Sequence, residues 1–221
     1  MSRDVCILSS GVANIASMAA CLKRLGCTVS YAETAQDIAD APALAVPGVG
    51  TFGVAMQTLT DRGWTDALRA RILSGQKTLM ICLGMQILCA GSDESPGVAG
   101  LGVIDATVKK LNAQKLPVPQ MGWNLLSPAR LPPALSSPAL SLHEGDYVYF
   151  ANSYALPAVG LESLQADDGW QLSTFAYGDD AAYPYVAMLR RQGVMACQFH
   201  PELSGKAGEG LIQQWLEGAS C

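Results

Sequence analysis

The sequence predicts an α/β fold, in which a mostly parallel central sheet is flanked by helices and an antiparallel β portion is added in the C-terminal half. Three observations predict it. Short apolar runs alternate with amphipathic segments through the first ninety or so residues, the pattern of strands covered on both faces. One of those runs, Leu79-Met80-Ile81, leads directly into Cys82 and then Leu83-Gly84-Met85-Gln86, a tight strand-to-helix turn. From about Leu101 the pattern changes to short β segments broken by Pro and Gly.

Val5–Leu8 reads as a buried strand. Asn14 is placed to cap a helix from Ile15 to about Leu25, where Ile15, Met18, Ala19, Leu22 and Leu25 keep helical spacing and Gly26 supplies the stop. Thr28–Tyr31 and Leu44–Val46 are further strands, the second running into Pro47-Gly48-Val49-Gly50. Val54–Thr60 and Trp64–Leu73 read as helices, Thr78–Ile81 as the strand behind Cys82, and Met85–Cys89 as the start of the next helix. Beyond these, Val103–Val108, Tyr147–Tyr154 and Leu172–Tyr177 have strand character. Val186–Arg190 and Val194–Gln198 bracket Arg191-Gln192-Gly193 as a hairpin, and a last helix lies near Gly208–Leu216. The Pro-rich stretch Ser127–Pro138 reads as a surface loop, so residues 1–221 are expected to form a single domain.

Composition narrows the function. A chain of 221 residues, half of them hydrophobic, can bury a sizeable core. Its net charge of -5 and scattered basic residues argue against nucleic acid. The run Val5-Cys6-Ile7-Leu8 is too short for a signal core or a membrane span. Seven cysteines without framework spacing fit a reducing, cytoplasmic setting. With no C-x-x-C pair and only two histidines, His143 and His200, no metal site is expected.

Two clusters carry chemistry. Cys82 at a helix start has free backbone N–H groups and the helix dipole to favour its thiolate, and Leu83 N–H is positioned as an oxyanion donor. Most cysteines at strand ends are only packing, so the flanking elbow pattern is what favours function here. Gln198-Phe199-His200-Pro201-Glu202 places an imidazole beyond an apolar strand with a carboxylate two residues on. Pro201 ends the strand, and Glu202 can fix the tautomer of His200. Together these read as a Cys82/His200/Glu202 nucleophilic triad. His143 lies among polar neighbours and reads as solvated. Pro47-Gly48-Val49-Gly50 is either a plain turn or a loop whose N–H groups reach a ligand.

These residues resemble the class I (triad) glutamine amidotransferases, and more narrowly the glutaminase subunits of imidazole glycerol phosphate synthases. The resemblance runs nearly end to end and implies the flavodoxin-like sheet of that family. It includes Gly11-Val12-Ala13-Asn14 with Ser17, Pro47 through Gly53, Ile81 through Gln86, Pro119-Gln120-Met121-Gly122-Trp123-Asn124, Tyr149 through Tyr154, and Phe199 through Glu202 with Ser204-Gly205. It implies Cys82 as nucleophile, His200 as general base and acid, Glu202 as orienting carboxylate, and Val49 and Leu83 N–H as the oxyanion hole. It further implies glutamine binding by Gly50, Gln86, Glu94, Ser153 and Tyr154, and no cofactor. Met121, Trp123 and Asn124 would face the partner, a (β/α)₈-barrel cyclase subunit bound as a heterodimer. Ammonia from L-glutamine would pass directly to that partner.

The sequence departs from the family pattern at Met80 (usually Gly), Gln120 (frequently His) and Asn152 (commonly His). The amides can hydrogen-bond but cannot change charge near neutral pH. Three other readings stay open at this level. They are a glutaminase serving a different synthase, such as the pyridoxal phosphate or anthranilate enzymes, a non-catalytic subunit that kept the fold, and a cysteine hydrolase with the same elbow.

Overall fold

The computed structural model describes residues 3–8, 15–113, 115–126, 146–161, 164, 169–178 and 184–218. Asn14 and the loop before it, the Ser127–Pro138 stretch and His143 lie outside the described residues. The core is a seven-stranded sheet. In chain order its strands are β1 (Asp4–Ile7), β2 (Thr28–Tyr31), β3 (Leu44–Gly48), β4 (Thr78–Cys82), β10 (Gln171–Phe175), β11 (Tyr185–Arg191) and β12 (Val194–Cys197). Across the sheet the order is β10-β11-β12-β4-β3-β1-β2. From β12 to β2 all neighbours pair in parallel, while β11 runs antiparallel to both β12 and β10.

The middle of the sheet is buried on both faces, and its strands β3, β4 and β12 are buried at every position. Leu44, Val46, Met80 and Ala196 point to one side, and α2 (Ala35–Asp40), α3 (Phe52–Asp61) and α4 (Thr65–Leu73) cover them through Ile38, Leu59, Leu68 and Ile72. Ala45, Leu79, Ile81, Met195 and Cys197 point to the other, beneath Met18 and Leu22 of α1 (Ile15–Arg24) and Leu211, Ile212 and Trp215 of the C-terminal helix α6 (Gly205–Glu217). Burial of each such side chain contributes roughly 1.5–3 kcal/mol, which is why the continuous apolar runs become central strands. Met80, the bulky departure two residues before Cys82, is fully buried between Val46 and Ala196 on the α3/α4 face.

Several expectations change. Helix α2 was not foreseen. It is closed by a capping box in which Thr34 Oγ1 accepts from Asp37 N–H while Asp37 accepts from Thr34 N–H. The helix expected from Met85 is a single turn, α5 (Leu83–Gln86), and the chain then enters strand β5 (Cys89–Ser92) instead of continuing as helix to Cys89. With so few aligned peptides, the dipole expected to favour the Cys82 thiolate is small. Strand β5 joins β6 (Ile104–Lys110) and β9 (Tyr154–Ala155) in a three-stranded sheet. The segment around Gly122, given no element from the sequence, is strand β7 (Gln120–Leu125), paired antiparallel with β8 (Tyr147–Asn152).

Candidate active site

Strands β4 and β12 lie side by side in parallel, so the turns that follow them open at the same sheet edge. Cys82 ends β4 with φ 54° and ψ -109°, a left-handed conformation that costs a non-glycine residue about 1–3 kcal/mol and lifts the thiol out of the sheet. The strain is held by close packing. A Cβ on Gly84 would sit 2.2 Å from Val46 O, and one on Gly48 would sit 2.7 Å from Gly84 N, so only glycines let α5 press against β3.

After β12, Gln198 N–H donates to Ala187 O and His200 N–H to Tyr149 O of β8. A 3₁₀ turn, Pro201–Leu203, then folds Glu202 back beneath the imidazole. His200 Nδ1 lies 2.8 Å from Glu202 Oε1, with both side chains buried. Ser204 locks this turn, because its Oγ donates to His200 O (2.6 Å) and accepts from Tyr149 N–H (3.0 Å). Glu202 Oε2 is buried with no hydrogen-bond partner among the described residues. Burial opposes the imidazolium, yet hydrogen bonds to Cys82 and Glu202 and the negative charge of both outweigh it and push His200 up to about 10. The same structure therefore brings thiol, imidazole and carboxylate together, as the two sequence clusters predict.

Cys82 and His200 open onto a cavity of about 440 Å³, also lined by Val49, Gly50, Leu83, Gln86, Glu94, Met121, Tyr149, Asn152, Ser153 and Tyr154. That volume suits a small amino acid. Leu83, as the first residue of α5, carries an N–H that the helix itself cannot use. Glu94 accepts from Phe52 N–H at 2.7 Å, capping α3 from a distant loop and leaving its second oxygen available. Gln86 is more deeply engaged than its expected role in holding substrate requires. Its Nε2 donates to Tyr154 O (2.8 Å) and to Gln198 Oε1 (3.1 Å), so both amide hydrogens have partners within the protein. Gln198 itself, not assigned a role from the sequence, is fully buried beside the sulfur. Its position two residues before His200 was the only sequence signal for it.

The expected partner residues divide. Met121 and Trp123 point outward from β7 and are 64% and 56% exposed. Trp123 meets Tyr149 of β8 edge-on at 6.0 Å. Asn124 does not share that face: its Nδ2 donates to Ala176 O and its Oδ1 accepts from Leu125 N–H, fastening the ribbon to the chain after β10. Gln120 and Asn152 are cross-strand partners, both buried. A separate cleft of about 320 Å³, lined by Lys77, Arg190, Arg191 and Trp215, opens at the other end of β12 and contains no nucleophile.

Residues 9–122 match the family model of the CobB/CobQ-like glutamine amidotransferase domain. The imidazole glycerol phosphate synthase subunit HisH of Pectobacterium atrosepticum is 37% identical over 96% of this chain and 98% of its own. The chain belongs to the HisH family. The HisH subunit of Salmonella typhimurium is 35% identical over 97% of this chain and 99% of its own. A longer relative, the imidazole glycerol phosphate synthase hisHF of Emericella nidulans, is 32% identical over 93% of this chain, which spans 36% of that protein. The HisH-family fold is shared with a solved glutamine amidotransferase (TM-score 0.67, 21% identity, 97% of this chain and 99% of the other). PurLQS from Thermotoga maritima shares it too (TM-score 0.61, 15% identity, 98% and 99%).

Proposed function

We infer that this chain is the glutamine-hydrolysing subunit of an imidazole glycerol phosphate synthase, in histidine biosynthesis, and that Cys82, His200 and Glu202 perform the hydrolysis. One observation supports this above all: a strained cysteine and a carboxylate-oriented histidine face one small cavity. In this reading the Cys82 thiolate attacks the side-chain amide carbon of glutamine. Val49 and Leu83 N–H stabilise the resulting oxyanion, and His200 passes its proton to the leaving nitrogen, so that ammonia departs and a γ-glutamyl thioester remains. Water then gives a proton to His200 as it attacks the thioester. Glutamate leaves, and the sulfur returns as thiolate beside the imidazolium. Glu202 keeps the imidazole in the required tautomer throughout. The cavity suits glutamine, with Glu94 facing its ammonium group and Gly50, Ser153 and Tyr154 forming the wall.

The partner is a cyclase subunit, a (β/α)₈ barrel carrying the ribonucleotide substrate. The outward Met121 and Trp123 form the docking face, and ammonia passes across it before water converts it to unreactive ammonium. The Emericella nidulans relative, whose length greatly exceeds this chain's, supports a second activity joined to this one. Buried free thiols support a cytoplasmic location. Among the described residues no helix is long and apolar enough to cross a membrane.

The test is glutamate release from L-glutamine by the purified chain, alone and with a cyclase subunit holding its ribonucleotide ligand. Turnover is expected in the complex, and Cys82→Ala should abolish it while leaving the complex intact. Losing one oxyanion donor costs ~3–4 kcal/mol of barrier, so a chain whose hole forms only in the complex is nearly silent alone. Equal activity without the cyclase would point to a glutaminase of another system.

A further inference from the structure

We propose that Gln198 is a further catalytic residue of this site, donating an amide N–H to the Cys82 sulfur and holding it ready as the thiolate, with Gln86 as its positioning residue. The proposal rests on the glutaminase reading for its function, but the geometry that carries it stands separately. Gln198 Nε2 lies 3.6 Å from Cys82 Sγ, and both residues are buried.

The orientation of this amide follows from an unambiguous acceptor. Tyr154 O is a backbone carbonyl and can only accept, so the Gln86 side chain must present Nε2 to it at 2.8 Å. The same Nε2 lies 3.1 Å from the Gln198 amide, which must therefore turn Oε1 toward Gln86. That leaves Gln198 Nε2 aimed at the sulfur. Backbone anchoring of Gln198 N–H on Ala187 O prevents the side chain from retreating.

The energetic consequence favours one protonation state. A thiol is a weak acceptor and a thiolate a strong one, so a fully buried N–H whose acceptor is sulfur is satisfied only when the sulfur is charged. Ala151 O, 3.8 Å from Sγ, acts the other way by accepting from the S–H form. His200, with Glu202 behind it, adds its positive charge on the thiolate side. Glu94, Tyr149 and Tyr154 are the remaining titratable groups in the cavity wall. All of these persist in a Gln198 variant, which isolates the amide's share. The single-turn helix α5 supplies little dipole, so this discrete donor takes over the task expected of the helix.

The test is the rate of Cys82 alkylation by iodoacetamide against pH, read site by site by peptide mass spectrometry. Burial pushes Cys6, Cys21, Cys27, Cys89 and Cys197 up, so they react slowly and serve as internal references. In Gln198→Met, which keeps the volume and removes the donor, alkylation at pH 7 should fall about tenfold and its profile should move to higher pH. Gln198→Glu, which places an acceptor against the sulfur, should shift it further. Gln86→Met, which frees the Gln198 amide to turn, should give a smaller shift in the same direction and stands in if both Gln198 variants fail to fold. Profiles superimposing on wild type in any of these that melts as wild type would overturn the proposal. Shifted alkylation without glutamine turnover by the wild-type complex would sink the glutaminase reading alone. Normal turnover and alkylation in the Gln198 variants would sink only the role of Gln198.

Discussion

His200 carries the electrostatic burden of the site, because between turnovers it sits protonated beside one anion and is oriented by another. Burial alone would lower it, and the bonds and charges of Cys82 and Glu202 instead raise it to about 10. The sign of the stability effect follows. A histidine raised in the folded state stabilises fully below its unfolded value of ~6.5, and that contribution is lost as pH rises through about 10. Glu202→Gln should therefore unfold at lower urea than wild type at pH 6, with the gap narrowing toward pH 10. A gap that is constant across that range would mean Glu202 acts by packing and not by charge. The same variant should lose most glutaminase activity in the complex, since a carboxamide can present its donor to Nδ1 and trap the wrong tautomer. This much of the site was legible in the sequence, because each cluster is local: residues 82–86 and 198–202. What the sequence did not disclose was the chain of amides behind it. Gln86 and Gln198 lie 112 residues apart, and nothing local in either segment says that they meet.

At the scale of elements, the site depends on how closely α5 lies against β3. Met80 is tolerated because β4 turns its side chain toward α3 and α4, while the crowded contact falls on Gly84 and Gly48. The α2/α4 side of the sheet is fixed by an unusual device. Arg71 is almost fully buried, and its guanidinium donates to Ile38 O, Lys77 O, Thr78 Oγ1 and Gln76 Oε1. It thereby satisfies carbonyls at the end of α2 and at the entry to β4. Burial lowers its pKa, but the guanidinium remains charged. Arg71→Met keeps the aliphatic stem and orphans those acceptors, so a loss of about 3 kcal/mol is expected by urea denaturation. A loss below ~1 kcal/mol would show that water replaces the guanidinium. Strands and helices with continuous apolar runs were legible because burial dictates them. Helix α2 was missed although Thr34-Ala35-Gln36-Asp37 has the spacing of a capping box, since the helix is short and only Ile38 is buried. Strand β7 was not legible because Pro119 and Gly122 interrupt any local β pattern, and its register is set by distant β8.

Over the whole molecule, the outward face of the β7/β8 ribbon and the turn that carries His200 and Glu202 meet at one residue. Tyr149 packs under the edge of Trp123 on the outside, while its carbonyl accepts from His200 N–H and its own N–H donates to Ser204, which in turn bonds His200 O. A partner pressing on Trp123 would thus bear on the strand that holds His200. Met121, Trp123, Leu125 and Tyr147 form an exposed apolar set on this face, of the kind that marks a protein interface. Truncation of a half-exposed tryptophan removes little packing from the free chain but removes a large anchor from the complex. Trp123→Ala should weaken association with the cyclase subunit by ~2 kcal/mol or more, about thirtyfold in Kd, while the free chain melts within a few degrees of wild type. Calorimetric titration decides it. Unchanged affinity would return Trp123 to the packing of Tyr149, and the docking face would then have to be sought elsewhere. Weakened affinity, with glutaminase activity restored once the variant complex is saturated, would mean Trp123 only binds. Activity that stays low at saturation would mean that the Trp123–Tyr149–His200 contact also transmits the partner's presence to the base.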